Sequence, residues 1–241
     1  YTVATEMYSA GIDRLTHQPL SFSVSETTEG VHIHIIDAEL MGKGEKEKKD
    51  LYIEGVQNNG IINHYEYIIN SEGTIEIRHV LKPEGKMPLW FPRIGLTLTV
   101  SDALDQVKWY GRGPQENYPD RKTGYPTGIY ASTVQAMYEP YLMPQDYGLR
   151  TDVRWLQLTT DKGIGLQFKM NEWFNFNIYP YSTDNLTKAM YTYQLQKQKG
   201  MTLNLDYATT GVGCTARGVF GAYKAMPQEY RRTISIKPMM K

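Results

Sequence analysis

Cysteine is almost missing from this chain. Cys214 stands alone among 241 residues, so no internal disulfide can staple the fold, and the compartment is not written in the thiols. Excess charge is missing too: Lys+Arg and Asp+Glu both count 26. Without a basic stripe or tail, nucleic acid is not expected as a partner. No run approaches the ~18 apolar residues that a membrane-crossing helix needs, so no membrane partner is expected. Neither a Gly-x-Ser-x-Gly elbow nor a repeat of solenoid or propeller period occurs. The sequence opens at Tyr1 with neither Met nor signal peptide, so a piece of a longer polypeptide is expected and localisation is not legible. Phenylalanine is sparse, 6 residues against 19 tyrosines and 4 tryptophans. Amphipathic rings in that excess suit half-wet β-sheets, and they also suit a surface that meets sugars.

What is present is alternation. Val31-His32-Ile33-His34-Ile35 places apolar residues on one face and imidazoles on the other, the period of a strand with one wet side. His32 and His34 read as exposed strand residues; the spacing also suits a metal pair, but no third ligand stands nearby in sequence. Residues 42–50, rich in Lys, Glu and Gly, read as a solvated hairpin loop. Strands are expected over 61–69, 74–81, 94–100, 164–170, 174–178, 203–207 and 232–236, with Asn175 and Asn177 facing away from Phe174, Phe176 and Ile178. Gly73 and the Pro83, Gly85, Pro88 cluster mark turns. Only 183–191 looks helical, capped by Ser182 or Thr183. With no linker in view, the whole chain 1–241 reads as one all-β domain in which two antiparallel sheets bury their alternating faces.

One stretch carries unusual chemistry: Gly111-Arg112-Gly113-Pro114-Gln115-Glu116-Asn117-Tyr118-Pro119-Asp120-Arg121. It is no phosphate loop, because Pro114 and Glu116 stand where helix N-terminal amides should point at an anion. Glu116, Asn117, Asp120 and Arg121 suit hydrogen bonds to sugar hydroxyls, and equally suit one another as Arg–carboxylate braces. Bracing is the favoured reading, and it extends to Arg150 and Arg154. No local motif marks a pair of catalytic carboxylates.

From Trp109 to Arg121 the sequence resembles the signature of the C-terminal domain of large bacterial β-galactosidases of glycoside hydrolase family 2. Tyr138-Glu139-Pro140-Tyr141, the run from Pro144 to Trp155, Pro92-Arg93-Ile94-Gly95, Gly211-Val212-Gly213 and Ala10-Gly11-Ile12-Asp13 fall in the family's order. The resemblance covers nearly the whole chain. It implies an antiparallel β-supersandwich like that of galactose mutarotases, trimmed at its N-terminal end. It also implies an accessory part of a retaining enzyme that hydrolyses terminal β-galactosides, its two glutamates about 5 Å apart on a preceding TIM barrel. The implied partners are a galactoside substrate and that barrel, with homo-oligomerisation open. No catalytic residue, metal or cofactor is implied in these residues; magnesium or sodium, where family enzymes use them, belongs to other domains.

The chain departs from the pattern in three places. The family's sugar-stacking tryptophan follows the C-terminal Gly-x-Gly; here Gly218 falls in its place and no Trp follows Trp173. Phe220 or Tyr223 offers a substitute, although core positions are the favoured reading for both. Tyr191 replaces a histidine near the end of the short helix, and Asp146-Tyr147 replaces Glu-Asn. The substrate-binding candidates are therefore Glu116, Asn117, Arg121, Arg150, Gly218 and Phe220. A free-standing carbohydrate-binding or aldose-epimerase-like module is the alternative, for which a His and a Glu should face one pocket.

Overall fold

The computed structural model describes residues 7, 10–41, 59–213 and 218–240. The expected hairpin loop at 42–50 lies outside them. Among the described residues, eleven strands make up almost all the regular structure: β1 (Thr16–Thr27), β2 (Gly30–Leu40), β3 (Gly60–Ile69), β4 (Ile75–Glu84), β5 (Arg93–Val100), β6 (Gln106–Arg112), β7 (Thr127–Thr133), β8 (Arg150–Thr159), β9 (Gly165–Tyr179), β10 (Met201–Thr209) and β11 (Tyr230–Met239). Every ladder is antiparallel. The fold class is all-β, as the alternation predicts.

The strands run in the order β1-β2-β3-β4-β11-β9-β8-β6-β7, and the β10–β5 pair branches off β9. The two runs predicted at 164–170 and 174–178 are one strand of 15 residues. Its first half pairs with β11 and its second half with β10, so the ladder forks where β9 changes neighbours. The two expected layers are thus one hydrogen-bonded sheet that splits. Apolar residues from both branches meet in one cluster, with Trp109, Leu156, Phe176, Leu203, Leu205 and Ile234 at 0% exposure. Burying a side chain of this size contributes about 1.5–3 kcal/mol, so this cluster is the main source of stability.

Besides the merged β9, the helix and four strands differ from the sequence pattern: β1, β6, β7 and β8 are covered by no expected run. The helix spans only Thr183–Lys188; Ser182 caps it by accepting from the Asn185 N–H at 3.1 Å. It stops early because the Gln194 side chain accepts the N–H groups of Met190 and Tyr191, at 2.7 and 3.1 Å. Strand β1 was not evident in the sequence. Pro19 and three serines interrupt its apolar content, and the ladder shifts register between Pro19 and Ser21. Proline and a bulge are both tolerated on an edge strand, and β1 is the edge. Its Phe22 and Val24 remain 68% and 56% exposed.

A polar cleft beside the central loop

The central stretch starts on β6 and turns into a loop whose groups are nearly all satisfied internally. The buried Glu116 carboxylate accepts from Arg121 Nη2 at 2.9 Å, Tyr118 Oη at 3.2 Å, the Gly148 N–H at 2.9 Å and the Tyr141 hydroxyl. Asn117 is fully buried: its Oδ1 accepts from the Thr151 N–H and hydroxyl, and its Nδ2 donates to the Gln115 carbonyl. Arg112 bonds Asp152 and the carbonyls of Lys122 and Tyr125, while Lys122 Nζ reaches the same carboxylate at 2.8 Å. Burial raises the Asp152 pKa, but Lys122 and Arg112 outweigh it and hold the carboxyl below its usual range.

Asp120 has another task. Its carboxylate accepts the N–H groups of Val212 and Gly213 at 3.0 and 2.7 Å. A Cβ on Gly211 would stand 2.3 Å from the Asp120 carboxyl carbon, so only glycine permits this approach. The central loop therefore clamps the C-terminal glycine loop.

Arg150 and Arg154 brace without carboxylates. Arg150 is buried over the Trp109 ring at 5.4 Å and donates to the Gly148 carbonyl at 2.8 Å. Burial pushes its pKa down to about 10. Arg154 lies over Trp173 at 4.2 Å and Tyr110 at 4.9 Å.

Beside this loop opens a cleft of about 920 Å³. Its described lining includes Arg93, Tyr118, Arg121, Tyr141, Asp146, Tyr179, Thr209 and Gly213. Arg93, at the start of β5, forks onto Asp206 of β10 through Nε at 3.1 Å and Nη2 at 2.6 Å. Its Nη2 also donates to Asn177 Oδ1 and its Nη1 to Asp146 Oδ1, at 3.1 and 3.3 Å. Burial alone would lower the Arg93 pKa; Asp206 and Asp146 overcome it and hold the guanidinium charged. Asn177 bridges Asp146 at 2.8 Å and Asn204 at 2.8 Å, and Asn204 accepts from Thr97 at 2.8 Å. Asp146 itself has a side chain 46% exposed and so retains acceptor sites toward the cleft.

Of the candidates named from sequence, only Arg121 lines this cleft. Glu116, Asn117 and Arg150 are buried behind it, whereas Gly218 and Phe220 are exposed and are not among its described lining. Phe220 and Tyr223 are 70% and 40% exposed, not core residues, because Gly221–Tyr223 is a surface 3-10 turn. Sequence reasoning missed Arg93, Asp146 and Asp206 as a group. One signal was available: Asn175 and Asn177 alternate with buried phenylalanines and so had to face something polar.

The family described as β-galactosidase small chain matches residues 7–236. The chain belongs to that family. It is 38% identical over 147 residues to a β-galactosidase of Priestia megaterium, covering 61% of this chain and 14% of that protein. It is 31% identical over 207 residues to a β-galactosidase of Vibrio cholerae, covering 86% of this chain and 18% of that protein. The chain thus spans less than a fifth of the length of these relatives. A solved GalM/aldose epimerase homologue from C. elegans aligns with 91% of this chain and 69% of its own, at 10% identity and a TM-score of 0.45.

Proposed function

We propose that this chain is one accessory domain of a retaining β-galactosidase, lacking the hydrolytic carboxylates and forming part of the wall of the sugar pocket. The observation that carries this reading is the family match over residues 7–236, in a chain that spans only 14–18% of β-galactosidases. The resemblance to family 2 enzymes implies that both glutamates lie on a TIM barrel preceding this domain. Two of the buried acids around the cleft are otherwise engaged: Glu116 meets four donors and Asp206 is forked onto Arg93. A retaining pair needs two carboxyls about 5 Å apart that are free to reach the sugar.

The cleft supplies what a sugar wall needs. Arg93, Asp146 and Thr209 offer planar or hydroxyl partners, and Tyr118, Tyr141 and Tyr179 offer ring faces. Val212 and Gly213, clamped by Asp120, stand at its rim. Exposed Phe22 and Val24 on β1 suit cover by another part of the enzyme. The epimerase-like alternative is not supported at this cleft, whose described lining holds no histidine; among the described residues a His and a Glu share a pocket on the β2–β4 face, where His34, His64 and Glu66 line a separate hollow.

The test is turnover. The purified chain is expected to fold and to leave a chromogenic β-galactoside intact, because a missing acid and nucleophile remove most of a barrier reduction of about 8–23 kcal/mol. Robust hydrolysis, abolished by a substitution within these residues, would overturn the reading.

A further inference from the structure

His32 and His34 alternate along β2, and in sequence they lack a third partner. The fold supplies one. His34 stands directly opposite Glu66 of β3 in the β2–β3 ladder, and His32 is diagonal to it. Directly opposed and diagonal neighbours on one face are within reach of long side chains. One ligand atom from each of His32, His34 and Glu66 can be chosen so that all three lie within 4.8 Å of one another. We propose that His32, His34 and Glu66 form a binding site for a divalent transition-metal ion on the sheet face of β2–β3–β4 that also carries His64 and Arg78.

The surrounding contacts favour ligation over simple packing. His32 Nδ1 faces Glu66 Oε1 at 3.4 Å, a loose contact that an ion between them would replace. Glu66 Oε2 is held by Arg78 Nη1 at 3.1 Å, which fixes the carboxylate and leaves Oε1 turned toward the imidazole. The other nitrogen of His32, Nε2, is buried without a hydrogen-bond partner, and its nearest acid is Glu29 at 3.9 Å. With Nδ1 on a metal, Nε2 carries the proton and points toward that carboxylate, the outer-shell arrangement that orients metal-bound imidazoles. The sequence reading of both histidines as exposed holds for His34 only; the His32 side chain is 12% exposed.

Two imidazoles and one carboxylate suit zinc, nickel, cobalt or copper rather than magnesium or calcium. A tetrahedral ion with bonds of about 2.0–2.2 Å sets its ligands ~3.4 Å apart, so the exposed His34 side chain swings inward on binding. The fourth position is left to water. Arg78 is a nearby positive charge and lowers the affinity, so moderate binding is expected.

Titration of the chain with zinc chloride by calorimetry at neutral pH is the test, repeated with nickel chloride. The expected result is one saturable equivalent at micromolar concentration, weakened by about tenfold or more in His34→Ala and in Glu66→Gln. His64→Ala, on the same face, should leave it unchanged. His34 is exposed, so its replacement is not expected to disturb folding. Absence of saturable binding below the millimolar range, or binding that survives His34→Ala and Glu66→Gln, would overturn the proposal.

Discussion

Two carboxylates flank the same loop and do opposite things. Glu116 is buried and meets two phenols, an arginine and a backbone amide, so no acceptor capacity is left for a ligand. Asp146 is half exposed and accepts from Arg93 and Asn177 on one side only. The difference lies in the backbone around them. Glu116 sits behind the loop, where the chain from Gly148 to Thr151 packs against it, whereas Asp146 stands at the cleft wall. Residue type alone does not separate an acid that holds a loop from one that faces a ligand; the count of donors around it does.

The sharpest break of this comparison is at the closed end. Glu116→Ala leaves the Gly148 N–H and the Tyr118 and Tyr141 hydroxyls without their acceptor, and should cost about 3–4 kcal/mol. Urea denaturation measures it directly; a loss well under 1 kcal/mol would mean that water enters and the loop is not closed.

A second closed group gives a pH signature. His79 is buried, stacked on Tyr65 at 4.2 Å, with Nδ1 accepting from Tyr207 Oη and Nε2 donating to Asn63 Oδ1. Burial pushes its pKa down to about 4. The unfolded value is about 6.5, so between these two values the unfolded chain binds the extra proton and stability rises with pH. The full contribution is present above about 6.5 and is lost as pH falls toward 4; at about 1.4 kcal/mol per unit it approaches 3 kcal/mol. Melts from pH 4 to 7, compared with His79→Gln, check it. An equal slope in the variant would assign the effect elsewhere.

Arg121→Ala lies between the two extremes. Its side chain is 50% exposed, and Glu116 keeps its other three donors. The expected loss is about 1 kcal/mol or less, as for other water-screened pairs, readable as a small shift in the thermal midpoint.

The alternation of apolar residues made most strands legible before the fold was known, since a strand face is a local property. The cleft was not legible, because its pairs cross the chain. Arg93 and Asp206 are 113 residues apart, and Asp120 and Gly213 are 93 apart. Nothing local in Pro92-Arg93-Ile94 says which acid the arginine will meet; the register of β5 against β10 decides it. Crowding of Glu116, Asp120 and Arg121 correctly suggested a brace, but only for one pair. Asp120 turns away to hold backbone amides, a partner choice that depends on where the glycine loop returns. Likewise the third member of the His32–His34 group was hidden, because Glu66 reaches it across a ladder and not along the chain.

At the open end the smallest stability change should carry the largest effect on ligand. Asp146→Asn is expected to shift stability by no more than about 0.5 kcal/mol, as surface substitutions usually do, while removing charge-assisted acceptors from the cleft. The most direct test of the account is a nuclear magnetic resonance titration of the chain with galactose, comparing the unaltered protein with Asp146→Asn. The account predicts weak, saturable shifts at Arg93, Tyr179, Thr209 and Gly213, unmoved amides at Glu116 and Asn117, and loss of the response in the variant. Shifts centred on Glu116 and Asn117, or a response that Asp146→Asn leaves intact, would contradict it.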